Sequence, residues 1–349
     1  MLRDRQIIGR GGAGADKGER GRAAAPPRRS QGAAIAVCVL ALVAVAGCSS
    51  SGSGQKTNDA LPQVSGAVGQ KATITLPSGA AAPTSLQKQV LVQGSGAALS
   101  AGELAAVNYT VVNWTGAKQL GDTYSPDGGK TPNQPQVVTL GSSSLLSAWN
   151  TALTGARVGS RIEVVAPPST AFGSEGNSTN GVGPTDDLIF VLDVVGGYQP
   201  TADITGKLGA QAGSGLPTVT GDPGSGNPQI AIPTGAKPPT TLVADTLVHG
   251  AGETVQSGHT LVIQYTGVDW NTGKNFDSSF TRKQAFSTVI GGGKVIAGWD
   301  QGLVGKHVGD RVLLVIPPAL GYGPSGGQST AGIGKDDTLV FVVDIIDEL

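Results

Sequence analysis

Lys294-Val295-Ile296-Ala297-Gly298-Trp299-Asp300-Gln301-Gly302-Leu303 is the stretch on which the fold turns. Val295, Ile296, Trp299 and Leu303 fall at i, i+1, i+4 and i+8, so a helix here carries one apolar stripe. Gly298, on the same turn, predicts the close approach of a strand or a ligand. Around this helix the chain reads as strand: alternating runs at Leu261–Tyr265 and Arg311–Ile316, a shorter one near Phe286–Ile290, and a last one at Thr338–Ile346. The pattern predicts an α+β unit, an antiparallel sheet wrapped on one short helix. No long helical periodicity separates the strand-like runs, which disfavours a doubly wound sheet or a large catalytic barrel.

The unit occurs twice. The stripe recurs as Leu145, Leu146, Trp149 and Leu153. Ile74–Ala80 matches Ile230–Ala236, and Tyr109-Thr110 matches Tyr265-Thr266, at an offset of 156 residues. Trp149/Trp299, Val158-Gly159/Val308-Gly309 and Arg161/Arg311 keep an offset of 150, and Phe190/Phe341 and Asp193/Asp344 one of 151. The surplus of the first copy therefore lies in one loop within 121–136, and its missing residue within 174–189. All the aromatic residues fall in Tyr109–Tyr198 or Tyr265–Phe341, which places one core in each copy. Two domains are expected, at 72–198 and 228–349. Residues 199–227, Gly-rich and poor in apolar side chains, read as a flexible linker, and 48–71 as a flexible tether.

Residues 1–47 read as a basic extension followed by an export signal. Arg28 and Arg29 precede an uncharged apolar run from Ala33 to Ala46, too short to span a bilayer comfortably. Its end, Val45-Ala46-Gly47-Cys48, resembles a bacterial lipoprotein signal, which implies lipidation of the Cys48 thiol and anchoring to the cell membrane on its extracytoplasmic side. A twin-arginine reading is disfavoured, because Ser30-Gln31-Gly32 stand where apolar residues are expected after the pair. The formal net charge of −1 divides into about +5 before Cys48 and about −6 after it, and a mildly acidic body argues against nucleic acid as a partner. Cys38 lies in the signal, so no disulfide is expected, and His249, His259 and His307 lack the spacing of a metal site. No cofactor is expected. Gly9-x-Gly11-x-x-Gly14 has no strand before it, and Gly323-Pro324-Ser325-Gly326-Gly327 precedes no helix, so both motif matches read as chance in a Gly-rich chain.

Val262-Ile263-Gln264-Tyr265-Thr266-Gly267, Gly273-Lys274-x-Phe276-Asp277-Ser278-Ser279, Val295-Ile296-x-Gly298-Trp299, Gly321-Tyr322-Gly323 and Thr338-Leu339-Val340-Phe341 follow one another with nearly unbroken spacing. Together they resemble the FKBP-type prolyl isomerases, the macrolide-binding immunophilins, over about 240–349. The resemblance implies two tandem FKBP-like domains, each a curved antiparallel sheet around one short helix. It implies a pocket in which Tyr265, Asp277 and Tyr322 are catalytic and Phe276, Arg282, Phe286, Val295, Ile296, Trp299, Ile333 and Phe341 bind substrate. Trp299 would be the floor, Tyr322 a donor to a substrate carbonyl, and Asp277 the neighbour of the rotating carbonyl, held by Arg282 and Tyr265. The implied activity is peptidyl-prolyl cis-trans isomerisation on proline-containing unfolded or exported polypeptides, with macrolide inhibitors as further ligands. The rival is a non-catalytic chaperone or peptide-binding lipoprotein using the same cup. A solute-binding lipoprotein would need two larger lobes than these repeats supply. Thr288 and the Gly-rich stretch 324–335 depart from the family pattern at the rim.

The first copy keeps Tyr109, Leu145, Leu146, Trp149 and Phe190, but Phe172 matches Tyr322 and has no hydroxyl. Phe276-Asp277-Ser278-Ser279 becomes Leu120-Gly121-Asp122-Thr123, so the aspartate is either lost or displaced by one. The inserted residues disrupt the loop that should carry the arginine and the second phenylalanine. Fold retained, activity mainly in 228–349, is the expectation.

Overall fold

The computed structural model of the chain describes residues 61–125 and 134–349. The expected basic extension, signal and Cys48, and the tether as far as residue 60, lie outside them. The described residues belong to one compact unit and form two copies of one architecture. In the first, a hairpin of β1 (Gln63–Ser65) and β2 (Thr73–Thr75) precedes β3 (Gln87–Val92), β4 (Leu104–Asn113), β5 (Gln119–Asp122), β6 (Gln136–Thr139), α1 (Ser147–Leu153), β7 (Arg161–Ala166) and β8 (Leu188–Tyr198). The second opens on the hairpin β9 (Thr218–Thr220) and β10 (Gln229–Ala231). It continues through β11 (Val243–Val248), β12 (Thr260–Asp269), β13 (Asn275–Ser278), α2 (Ser279–Arg282), β14 (Phe286–Val289), α3 (Ala297–Leu303), β15 (Arg311–Ile316) and β16 (Leu339–Glu348). The main sheets run β3-β7-β8-β4-β5 and β11-β15-β16-β12-β13, antiparallel throughout, with β6 on β4 and β14 on β12. Each domain is α+β, as expected.

Alternation along the strands sorts residues between two layers. Leu261, Ile263 and Tyr265 of β12 join Val312, Leu314 and Ile316 of β15 on the face that packs on α3. Seven residues are too few for a helix to stand alone, so packing holds α3: Trp299 and Leu303 are buried. Of the two roles open to Gly298, the structure shows the approach of a strand. A Cβ there would lie 2.5 Å from Ile316, and one at Gly302 2.6 Å from Leu314. The first domain solves the same contact in reverse, with Ala148 and Ala152 on the helix and the smaller Ala166 and Val164 on the strand. The interface keeps its volume while the methyl groups change sides.

The outer face of each sheet corrects the expectations for tether and linker. Residues 63–75, partly within the expected tether, form the β1–β2 hairpin, and Arg161 Nη1 and Nη2 donate to the carbonyls of Gly66 and Gln70 at 2.7 and 2.6 Å. Residues 199–227, expected to be a flexible linker, dock on the second sheet: Val219 is fully buried with Leu313, Val315, Val340, Val342, Leu247 and Trp270. The Gln211 side chain bonds both the N–H and the C=O of Val219, at 2.8 and 3.0 Å, and acts as a third strand. Arg311 Nη1 donates to the Gly221 carbonyl at 2.6 Å. Composition misled here because a segment that docks on a face already built needs few apolar residues; burying one valine contributes about 1.5–3 kcal/mol.

Beneath the hairpins, Arg161 binds Asp193 and Arg311 binds Asp344, each bidentate at 2.6–2.7 Å. Burial pushes the Asp344 carboxyl up to about 6 although Arg311 pulls it down.

The domains meet along a seam. Leu104, Ala106 and Tyr198 of the first pack on Val262 and Ala285 of the second. Tyr198 donates to Asp347 Oδ2 at 2.6 Å. The buried Gln264 amide donates to the carbonyls of Pro200 and Ala202 at 2.9 and 3.1 Å.

Candidate active site

Five aromatic rings of the second domain close on one another at the end of the sheet over α3. Tyr265 on β12, Trp299 on α3 and Phe341 on β16 are buried; Phe276 on β13 and Phe286 on β14 pack half-buried against them. Trp299 stands edge-on to Tyr265 and to Phe341, each at 5.2 Å between centroids, and Phe276 meets Phe341 at 5.4 Å. Phe286 completes the ring at 5.8 Å from Tyr265 and 6.2 Å from Trp299. Edge-to-face contacts at these distances are favourable beyond the area they bury. Val295, Ile296 and Tyr322 are half-buried against the same cluster, and Ile333 is buried in it. The Trp299 indole N–H is buried without a hydrogen-bond partner among the described residues.

One wall depends on a glycine that the sequence quoted without giving it a role. A Cβ at Gly267 would lie 2.6 Å from the Phe276 ring and 2.8 Å from Phe341, so only glycine lets both rings lean on β12. Where the first domain has Val111 at this place, the smaller Leu120 replaces the phenylalanine.

The rim carries the charge. Tyr265 donates its hydroxyl to Asp277 Oδ2 at 2.5 Å, Arg282 Nη2 donates to the Tyr265 oxygen at 3.1 Å, and Arg282 Nη1 pairs with Asp277 Oδ1. The Arg282 guanidinium also lies 5.4 Å from the centre of the Tyr265 ring. Asp277 and Arg282 keep 38% and 39% of their side-chain surface exposed, so a bound chain can reach them. Burial raises the Tyr265 hydroxyl above the ordinary phenol range, against the pull of Arg282, and burial likewise raises Tyr322. Both stay protonated donors at neutral pH.

Local structure fixes Arg282. Ser278 caps the single turn of α2 by accepting from the Thr281 N–H, and Lys283, at φ +51°, ends it in the left-handed conformation. Ser279 Oγ accepts from the Tyr265 N–H at 2.8 Å and donates to Gln264 Oε1 at 2.5 Å, tying α2 to β12. The two serines were legible as part of a motif; their purpose was not. All eleven residues expected at the pocket come together here: ten line or rim the cluster through their side chains, and Asp277 supplies the carboxylate.

The first domain keeps the floor. Trp149 stands edge-on to Tyr109 at 5.3 Å and to Phe190 at 5.8 Å, and its indole N–H is also buried without a partner among the described residues. Thr123 Oγ1 accepts from the Tyr109 N–H and donates to Asn108, the tie that Ser279 and Gln264 make in the second domain. Register decides the fate of the aspartate. Thr110 pairs with Asp122 and Val111 with Gly121, as Thr266 pairs with Ser278 and Gly267 with Asp277. Asp277 is therefore matched by Gly121, and Asp122 is turned to other work, pairing with Lys71 at 2.8 Å and bonding Gln119 and the Ser125 N–H. By the same register Gln136 replaces Phe286. The loop expected to lack the arginine lies partly outside the described residues.

With this geometry in hand, comparison with known proteins gives a consistent picture. The sequence model of the FKBP-type peptidyl-prolyl cis-trans isomerase family matches residues 97–195 and again 251–346, together more than half of the chain. The chain is 40% identical over 122 residues to the FK506-binding protein of Streptomyces anulatus, covering 34% of this chain and 94% of that protein. It is 41% identical over 120 residues to a probable FK506-binding protein of Corynebacterium glutamicum, covering 34% of this chain and 96% of that one. With the FKBP-type peptidyl-prolyl cis-trans isomerase FkpA of Escherichia coli it shares 40% identity over 108 residues, 31% of this chain and 38% of that protein.

Proposed function

Because this chain belongs to the FKBP-type peptidyl-prolyl cis-trans isomerase family, and carries the family's domain twice, we propose that its second domain rotates X-Pro peptide bonds and that the first does not. The observation that carries the reading is the Asp277–Tyr265–Arg282 cluster at the mouth of a five-ring pocket, which has no counterpart among the described residues of the first domain. Rotation about an amide must break its resonance, over a barrier of about 18–20 kcal/mol, and unaided takes tens to hundreds of seconds at X-Pro. No nucleophile is required. An apolar pocket removes water from the planar, polar amide and so disfavours it relative to the twisted form, in which the nitrogen has lost its share of the resonance. Trp299 packs the pyrrolidine ring, Tyr322 donates to a substrate carbonyl, and Asp277 lies beside the rotating carbonyl with its orientation fixed by Tyr265 and Arg282. Lowering a step of about 100 s to about 10 ms requires a factor near 10⁴, roughly 5.5 kcal/mol, within the range of desolvation and directed hydrogen bonds acting together.

The substrates on this reading are proline-containing unfolded polypeptides, and macrolides compete for the same pocket. The sequence around Cys48 supports export and attachment to the outer face of the cytoplasmic membrane through a lipid, which would make exported proteins the clients. Exchange of a proline tetrapeptide, measured on the full chain, tests the chemistry. Asp277→Ala and Tyr322→Phe are each expected to lower kcat/KM by about 10–100-fold, the loss of one to two directed interactions worth about 1–3 kcal/mol, with macrolide binding retained. No acceleration by the parent chain would make the pocket a holding site and the protein a chaperone without isomerase chemistry, and acceleration left unchanged in both variants would remove Asp277 and Tyr322 from the mechanism.

A further inference from the structure

The pocket of the first domain has no part in that reaction, yet its details match the second pocket more closely than a shared core requires. Trp149 keeps both of its edge-on partners, and among the described residues its buried indole N–H has no partner, just as that of Trp299 has none. Leu145, Leu146 and Phe172 remain half-buried against it, as Val295, Ile296 and Tyr322 do around Trp299. What has gone is chemical: the carboxylate has become Gly121 and the hydroxyl of Tyr322 has become the bare ring of Phe172. Packing does not demand the glycine. Among the described residues a Cβ at 121 would meet Val111 Cγ1 alone, at 3.9 Å, so no described side chain fills the place of the second domain's aspartate, and the neighbouring Asp122 is paired with Lys71.

The seam brings the two pockets together. On β14 Phe286 pairs with the inward Ile263 and faces the pocket, while Ala285 before it packs in the seam. On β6 Gln136 holds the place of Phe286, and Val137 after it packs against the seam. Gln284 Nε2 donates across to Thr139 Oγ1 at 3.1 Å. Each pocket thus has a wall strand beside the domain contact, and Gln284 and Ala285, just before β14, meet β6 across it.

We infer that the first pocket is a second X-Pro binding site, which holds one proline segment of an unfolded chain without turning it over while the neighbouring pocket isomerises another segment of the same chain. The inference rests on the reading of the second pocket as a proline site. Its occupant follows from the register: the floor that would pack a pyrrolidine ring is the part retained, and the groups that would act on the amide are the part removed. Holding one segment raises the effective concentration of the next at the active pocket.

Two peptides test it on the full chain, one with a single Ala-Leu-Pro-Phe segment and one with two such segments joined by a Gly-Ser linker. The indole N–H resonances of Trp149 and Trp299, assigned among the four tryptophans through Trp149→Phe and Trp299→Phe, report each pocket separately. Both are expected to shift with the single-segment peptide, and the two-segment peptide is expected to bind at least tenfold more tightly. Gly121→Trp, which places a ring at the rim, or Leu145→Arg if that ring leaves the pocket accessible, is expected to abolish the Trp149 response and the tenfold gain while leaving turnover of the single-segment peptide unchanged. A response at Trp299 alone, or equal affinity for the two peptides, overturns the inference. The underlying reading fails differently: both indoles respond, but no exchange is accelerated.

Discussion

Trp149 and Trp299 stand on the same turn of equivalent helices, α1 and α3, each set edge-on between a tyrosine and a phenylalanine. Around Trp149 everything that shapes the domain is kept: the buried Arg161–Asp193 pair, the hairpin clasped above it, and the tie from Thr123 to Asn108 and Tyr109. Around Trp299 the same scaffold also holds a carboxylate, a guanidinium and a phenol at hydrogen-bonding distance. The comparison separates what the fold needs from what the chemistry needs. Scaffold residues survive in both copies, or change in compensating pairs; groups that would touch a rotating amide survive in one.

The compensating pairs can be broken one at a time. Gly298→Ala places a methyl group 2.5 Å from Ile316, an overpacking expected to destabilise the second domain toward the upper end of about 1–3 kcal/mol. Adding Ile316→Ala, which recreates the Ala148/Ala166 arrangement of the first domain, is expected to restore most of that loss. The two substitutions should then couple with a favourable sign in a double-mutant cycle. Hydrogen exchange read over α3 and β15 would follow both steps. An additive result would mean that the domains reached their helix contacts independently.

Such pairs explain how much could be read in advance. The helix stripe and the central strands were legible in the apolar periodicity, a property of the chain alone, whereas the eleven pocket positions came from the resemblance to a known family and not from periodicity. Gly298 could be recognised as a point of close approach without naming what approaches, and Gly267 went unremarked, since the strand and the rings that crowd them arrive from distant sequence. The hairpins β1–β2 and β9–β10 were lost in Gly-rich composition, because what stabilises them is the sheet face beneath and the arginine that reaches through it. Whether Asp122 replaced Asp277 was undecidable until the register of β4 on β5 put Gly121 opposite Val111.

A second asymmetry lies on the outer faces. Glu163 of β7 pairs with Val191 as Leu313 of β15 pairs with Val342, and it is 1% exposed with both carboxylate oxygens unpartnered among the described residues. Arg161, two residues before it on the same face, is committed to Asp193 and the hairpin carbonyls. Burial pushes the Glu163 carboxyl from 4.5 up to about 7. A carboxyl raised on folding favours the folded state most when protonated, so its support is complete below about pH 4.5 and is lost as the pH rises toward 7. Glu163→Leu, the residue of the second domain, is expected to stabilise the first domain by about 1–2 kcal/mol at pH 7.5. It should also flatten the fall in stability between pH 4.5 and 7. Melting followed across that range would show the two curves converging at low pH; a variant less stable than the parent at pH 7.5 would mean that the carboxylate is satisfied in solution.

The smallest expected effect bears most directly on why the two pockets differ. Gly121→Asp with Phe172→Tyr, made in a chain silenced by Asp277→Ala and Tyr322→Phe, returns to the first pocket the two groups it lacks. The space for the aspartate is present, and Tyr109 stands in register with Tyr265 to orient it. Two features still separate the pockets after that repair. Gln136 remains where Phe286 closes the second pocket, and the Asp277 carboxylate owes part of its setting to Arg282, which the repair does not supply. Exchange of a proline tetrapeptide is therefore expected to rise several-fold above the silenced chain, about 1 kcal/mol in barrier, and to remain at least tenfold below the native second domain. No rise at all would place the decisive difference in the ring wall and the arginine, and full activity would show that a carboxylate and a phenol suffice once the tryptophan floor is in place.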